Sequence, residues 1–218
     1  MKSLRLSDNK TFALKKSLRD NVETTSIKNE CALIKALNSP YLVQCEEVFE
    51  FNEELFVFLE LMDGDLSHII SQHHTRYSSD FIKYTLYIVA MGLRDMHNSN
   101  VLHRDIKSEN ILFRANGDIK IADLGLSVFL HEQKMFRNSM KGTCNWYAPE
   151  IVKGQHYSRS VDIWSFGCFA YELATSRPLF FELRNEQVSL FTAIEKQDYQ
   201  PVSEDLPEEF RNLIRACL

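Results

Sequence analysis

The sequence predicts an α+β fold in which a small sheet-rich part carrying one helix is followed by a larger, mainly helical part. Three observations predict it. Short β-type runs bounded by turn residues fill most of the first sixty positions. One stretch among them repeats its apolar residues at helical spacing. Gly64, in MDGD, is the only glycine before Gly92 and marks the point beyond which helical patterns dominate.

The elements follow in order. LRL, a turn-like SDNK and TFALKK read as a hairpin ending near Ser17, since Asp8 and Asn9 supply turn chemistry between two short strands. A helix is expected over 24–37, capped by Thr24, Thr25 or Ser26, with Ile27, Cys31, Ile34 and Leu37 on one face and Pro40 ending it. Strands are expected over 42–51 and 55–61 around a polar Asn52-Glu53-Glu54 turn. After the boundary, Ser79 or Asp80 should cap a long helix to Asn98 whose buried side holds Phe81, Leu86, Val89, Leu93 and Met96. Short strands at 111–113 and 119–122 flank Asn116-Gly117, a strong hairpin signal. Helices are expected at 160–175, 186–196 and 207–218. No internal repeat or low-complexity segment interrupts this pattern.

Composition narrows the classes of function. A net charge of −5 lacks the basic footprint of nucleic-acid binders, so no nucleic-acid partner is expected. Five widely spaced cysteines with no CxxC or Cys/His ligand spacing fit a reduced, intracellular chain without structural zinc. The run 84–93 is too short to span a bilayer and MKSLRLSDNK lacks a secretory apolar stretch, so no membrane association and a cytoplasmic or nuclear location are expected.

The chemistry concentrates in HRDIKSEN at 103–110. An aspartate, a lysine two residues on and an asparagine three further place a proton acceptor, a cation and a metal-binding amide oxygen on one loop. Phosphoryl transfer from a nucleotide uses that combination. Asp123, in ADLGLS after the Asn116-Gly117 hairpin, would add a second hard oxygen ligand for magnesium.

These blocks resemble the eukaryotic protein kinase domain, in family order over nearly the whole chain. The resemblance implies a two-lobed fold over 1–218, with 1–62 as a partial N-terminal lobe and 63–218 as the C-terminal lobe. FALK at 12–15 is similar to the strand bearing the nucleotide lysine, so Lys15 would grip the α- and β-phosphates of ATP. Glu30 matches its helix partner, with Ile34 one turn later facing the core. HRDIKSEN resembles the catalytic loop, with Asp105 as base and Asn110 as magnesium ligand; DLG at 123–125 resembles the second magnesium motif, with Leu124 where phenylalanine is usual. APE at 148–150 would close the activation segment, and VDIWSFG at 161–167 would anchor the catalytic loop through Asp162. Ala13 would lie above the adenine, Leu66 and Leu112 below it, with Leu59 as gatekeeper and Glu60 to Met62 as hinge. Lys107, and Thr143 in GTCNWYAPE, are similar to the serine/threonine class. The implied function is therefore an ATP- and Mg²⁺-dependent protein kinase acting on serine or threonine hydroxyls of protein substrates. NSPYLV and YELATSRPLF resemble stretches of NIMA-related and sterile-type kinases without fixing a group.

Against the family pattern, no GxGxxG precedes the lysine strand, and EEFRNLIRACL stops before the arginine that pairs with Glu150, which is therefore expected to be unpaired. A chain truncated at both ends is the expectation, and a catalytically weak or inactive scaffold is the competing reading. Other residues carry two readings. His103 is expected to pack in the core rather than act as a base. His73 and His74 read as a solvated loop, and Cys144 carries only a weak redox reading. Glu109 and Glu172 are either receptors for basic substrate residues or structural glutamates. The resemblance makes Ser139, four residues before Thr143, a candidate phosphorylation site with Arg104 as the phosphate's partner.

Overall fold

The computed structural model describes residues 2–5, 9–18, 22–72, 77–130, 144–200 and 202–218. The first strands, β1 (Lys2–Arg5) and β2 (Lys10–Leu18), form the expected hairpin, and Asn9 enters β2 with φ 57°. Next come α1 (Val22–Leu37), β3 (Cys45–Phe51) and β4 (Glu54–Glu60), giving an antiparallel sheet in the order β1-β2-β4-β3. β3 and β4 are joined by Asn52 and Glu53 at φ 47° and 62°, the paired left-handed residues of a tight hairpin turn. α1 begins before the three expected cap residues, so 24–26 are helical backbone rather than cap. Leu42, expected in a strand, makes one parallel bridge to Ile121, and β3 proper starts at Cys45.

Beyond β4 the chain makes β5 (Gly64–Asp65), α2 (Leu66–Gln72) and α3 (Ser79–Asn98). The cap of α3 is Ser78, whose side-chain oxygen accepts the Phe81 N–H at 3.2 Å, one residue ahead of the expectation. α2, only seven residues long, had no sequence signal of its own. Short strands β6 (Val101–Leu102), β7 (Ile111–Phe113), β8 (Ile119–Ile121) and β9 (Val128–Phe129) pair as β5-β7-β8 and β6-β9. The helical part closes with α4 (Pro149–Val152), α5 (Ser160–Thr175), α6 (Gln187–Lys196) and α7 (Glu208–Cys217).

One apolar core runs through both parts, from Ile27, Ile34, Leu55 and Val57 to Leu86, Val89, Leu93, Met96, Ile121 and Phe169. Gly92 allows α3 to approach β8: a Cβ there would lie 2.6 Å from Ile121 Cδ1. A second cluster, including Leu102, Trp146, Trp164, Phe180 and Ile194, packs the far end of the helical part. The chain crosses between sheet and helical body at 38–44 and again at 60–65, and both crossings bond to the β7–β8 hairpin. At the first, Val43 N–H donates to Ile121 O and Ile121 N–H to Tyr41 O, both at 2.8 Å. At the second, Asp63 N–H donates to Phe113 O at 2.9 Å, while Asp63 Oδ2 accepts the Ala115 N–H at 2.7 Å.

Candidate active site

β-Strand alternation turns Ala13 and Lys15 to the same face of β2, towards α1 and the crossings. Lys15 Nζ lies 3.1 Å from Glu30 Oε2, and Glu30 is buried on α1. Burial alone would lower the lysine's affinity for its proton. The Glu30 carboxylate overrides it, and with a contribution from Asp123 holds the Lys15 ammonium above its ordinary value.

The residues of the 103–110 loop are held from below. β6 delivers the chain to His103, which is fully buried, and Asp162, also fully buried at the start of α5, accepts the His103 and Arg104 N–H groups at 2.9 and 2.7 Å. Arg104 adopts φ 67°, a left-handed conformation that these two bonds stabilise. His97 Nε2, which sequence reasoning missed because it approaches from α3, completes the Asp162 site at 2.8 Å. His103 Nδ1 accepts the Asp105 N–H at 3.2 Å and Nε2 lies 3.2 Å from Ala122 O, so its neutral ring carries the proton on Nε2. The ring is a core spacer between the loop and β8, as expected, and not a base facing the opening.

Asp105 is the focus of the loop. Its carboxylate oxygens receive Lys107 Nζ at 3.0 and 2.8 Å, and Asn110 Nδ2 donates to Asp105 Oδ2 and Asp105 O, both at 2.7 Å. With that amide nitrogen engaged, Asn110 Oδ1 is the atom left to meet a cation. Asn110 O accepts the Ala122 N–H at 2.8 Å, which brings the end of β8 alongside the loop and sets Asp123 one residue further on. Asp123 is exposed, at φ 62°, and its side chain accepts the Gly125 N–H at 3.3 Å.

A cavity of about 240 Å³ opens beside Glu30 and Asp123, lined by Ala13, Val43, Leu59, Met62 and Leu112 among others. Glu60 also borders it, but its carboxylate pairs with Arg114 at 2.9 Å and Lys120 at 2.7 Å and its N–H is taken by Gln44 O at 2.9 Å. The polar edge of the cavity therefore rests on main chain around Met62. Leu66, expected beneath the cavity with Leu112, packs in the core at 1% exposure and does not line it. Two larger cavities of about 580 and 620 Å³ lie behind α1 and between α5 and α6, away from the carboxylates of the loop.

The protein kinase domain family model matches residues 1–218. The chain belongs to this family. It is 32% identical over 214 residues to the serine/threonine-protein kinase pakA of Dictyostelium discoideum, covering 96% of this chain and 18% of that protein. It is 34% identical over 194 residues to mitogen-activated protein kinase kinase kinase 1a of Physcomitrium patens, covering 88% of this chain and 25% of that one. It is 33% identical over 218 residues to G protein-coupled receptor kinase 1 of Caenorhabditis elegans, covering 96% and 34%. The chain thus spans between 18% and 34% of the length of these relatives.

Several family expectations are sharpened by this kinase domain's geometry. Thr143, Ser139, His73 and His74 lie outside the described residues. Arg104 is already engaged: Nε donates to Leu126 O at 2.6 Å and Nη1 to the Tyr157 hydroxyl at 3.0 Å, while burial lowers its guanidinium below the usual value. Glu150, expected to be unpaired, accepts the Ser160 hydroxyl at 2.7 Å, because both residues lie at the surface where α4 meets α5. No helix among the described residues is long and apolar enough to cross a membrane.

Glu109 is exposed, whereas Glu172 is buried on α5 and accepts the Ser108 hydroxyl at 2.8 Å, tying the loop to the helix. Glu172 is thus structural in this conformation. Burial, with a smaller push from the Glu109 charge and against the Ser108 hydrogen bond, raises its carboxyl from 4.5 to about 7. The folded chain therefore binds a proton that the unfolded chain releases between these values, and stability is expected to fall as pH rises from 4.5 to about 7, then level off. A Glu172→Gln variant should lose this slope and melt higher than the parent above neutrality, with a gain of at most about 3 kcal/mol. Melting temperature measured across this pH range checks it, and parallel curves for the two proteins would contradict it.

Proposed function

We propose that this kinase domain transfers the γ-phosphoryl group of ATP to serine or threonine hydroxyls of protein substrates, with residues 1–62 and 63–218 as the lobes on either side of the cleft. The observation that carries this reading is a cavity lined by Glu30 and Asp123, where Lys15 pairs with Glu30 and the Asp105–Lys107–Asn110 cluster is joined to Ala122, beside Asp123, through Asn110 O. The apolar walls Ala13, Leu59 and Leu112 suit a purine ring, with main chain near Met62 as its polar edge. A cavity of 240 Å³ accommodates the base, so the phosphates would extend past it towards Lys15 and Asp123.

Asp105 would orient the substrate hydroxyl and accept its proton, and Lys107, bonded to that carboxylate, would offset charge on the moving phosphoryl group. Asn110 Oδ1 and the Asp123 carboxylate are hard oxygen donors of the kind magnesium takes. Among the described residues no cluster of three or more His, Cys, Asp or Glu side chains is placed to hold an ion alone. That fits a metal shared with the nucleotide's phosphates, where it would neutralise their charge. Thr143 would belong to the same catalytic set. We further place the protein in the cytosol or nucleus, with neither nucleic acid nor membrane as a partner.

The test is transfer of labelled γ-phosphate from ATP to a generic basic protein, with and without Mg²⁺, followed by identification of the phosphorylated amino acid. Mg²⁺-dependent phosphoserine or phosphothreonine is expected. Phosphotyrosine would overturn the substrate class, and no transfer beyond a blank would overturn the activity in favour of the scaffold.

A further inference from the structure

We propose that the groove between α5 and α6 docks an acidic segment of a partner protein, one that sets an apolar side chain beside a carboxylate. The groove holds about 620 Å³, and Arg177, on the turn after α5, lines it with Tyr171, Phe180, Phe181 and Tyr199. Ser176, at φ 60°, turns the chain out of α5, and a single 3₁₀ turn, Phe181–Leu183, carries it along the groove. Phe180 is buried and meets Tyr199 edge to face, with ring centres 6.4 Å apart. The floor is therefore aromatic and suits an apolar side chain.

The rim carries positive charge that nothing neutralises. Arg177 Cζ lies 5.6 Å from the centre of the Phe181 ring and Arg184 Cζ 3.8 Å from it, so two guanidinium groups are gathered on one ring. Arg184 Nη1 also donates to Phe181 O at 2.7 Å. Both side chains are exposed, and among the described residues neither pairs with a carboxylate. Like charges held this close repel. A carboxylate beside them offsets that repulsion and takes the fork of N–H donors that arginine presents. Tyr171 adds a hydroxyl without a hydrogen-bond partner among the described residues. Burial raises this phenol above its usual value, and Arg177 is the charge that pulls it down. A carboxylate between Arg177 and Tyr171 therefore gains a cation and an O–H donor together.

The same lining favours a carboxylate over a phosphate. Glu182 and Asp198 also border the groove, and they repel a dianion about twice as strongly as a single charge. The buried floor and the exposed arginines further require a ligand that reaches from one to the other, as adjacent side chains of an extended peptide do. The groove lies apart from the cavity beside Glu30 and Asp123, so docking leaves that cavity open.

The test uses the whole chain and fluorescein-labelled peptides in which a Phe-Asp pair is set in a glycine-serine background, read by fluorescence anisotropy. Phe-Asp is expected to bind about tenfold more tightly than Phe-Lys, Ala-Asp or Phe-phosphoserine in the same background, and to weaken as salt is added. Arg177→Glu, a change on an exposed turn, should reverse the preference towards the Phe-Lys peptide with no change in melting temperature. Tyr171→Phe should weaken Phe-Asp binding several-fold and leave Phe-Lys binding as it is. Equal binding of Phe-Asp and Phe-Lys, unchanged binding by the Arg177→Glu variant, or no binding of Phe-Asp would overturn the proposal. Tighter binding of the phosphoserine peptide would overturn its carboxylate class. Docking does not rest on the kinase reading: a chain that binds the Phe-Asp peptide and fails to transfer phosphate would count against that reading alone.

Discussion

Asp105→Asn is expected to slow phosphoryl transfer by about 10²–10⁴-fold, the usual contribution of a positioned general base. The amide keeps the shape of the carboxylate and can still accept from Lys107, which now donates at 3.0 and 2.8 Å. It cannot take the hydroxyl proton. Because the amide matches the carboxylate in size and the side chain is only partly buried, the melting temperature should stay within about 4 °C of the parent. ATP affinity should also be retained, since Lys15, Leu59 and Leu112 are untouched. Single-turnover transfer measured beside ATP binding separates the two effects. Equal transfer rates for parent and variant would remove Asp105 from the reaction.

Asp162→Ala should produce the largest loss of stability. The carboxylate is 0% exposed and accepts from His103 N–H, Arg104 N–H and His97 Nε2. Truncation leaves these donors buried without a partner and releases the left-handed Arg104. A loss of about 3–5 kcal/mol is expected, a large share of the roughly 5–15 kcal/mol that holds a typical domain together. Urea denaturation followed by circular dichroism gives the difference directly. A loss below about 1 kcal/mol would mean that water or another group replaces the carboxylate.

What was legible in the sequence was what local chemistry encodes. α5 runs over Ser160–Thr175 as its apolar spacing required, and the turn at Asn116-Gly117 joins β7 to β8 with Gly117 at φ 96°. Lys15, Glu30, Asp105, Asn110 and Asp123 were singled out because their spacing matched a family pattern; the fold pairs Lys15 with Glu30 and Asp105 with Asn110, and joins Asn110 O to Ala122, next to Asp123. Interactions set by packing between distant segments were not legible. Nothing near Glu60 in the chain signals Arg114 or Lys120, and nothing near Asp162 signals His97. Leu66 went astray for a related reason: a family position indicates a neighbourhood, but the short helix α2 turns that side chain into the core. Ser78 and Ser79 are both competent caps, and only the backbone geometry chooses between them.

The bonds from both crossings converge on one small ribbon, β7–β8. Val43 and Tyr41 hold Ile121 on one side, and Asp63, Glu60 and Leu61 O hold Phe113, Ala115, Arg114 and Lys120 on the other. The linker cannot lengthen or slide without breaking several of these at once. The ribbon is therefore the axle of this molecule: any swing of the sheet must pivot on it, with α1 braced both by the sheet and by the turn at 124–126.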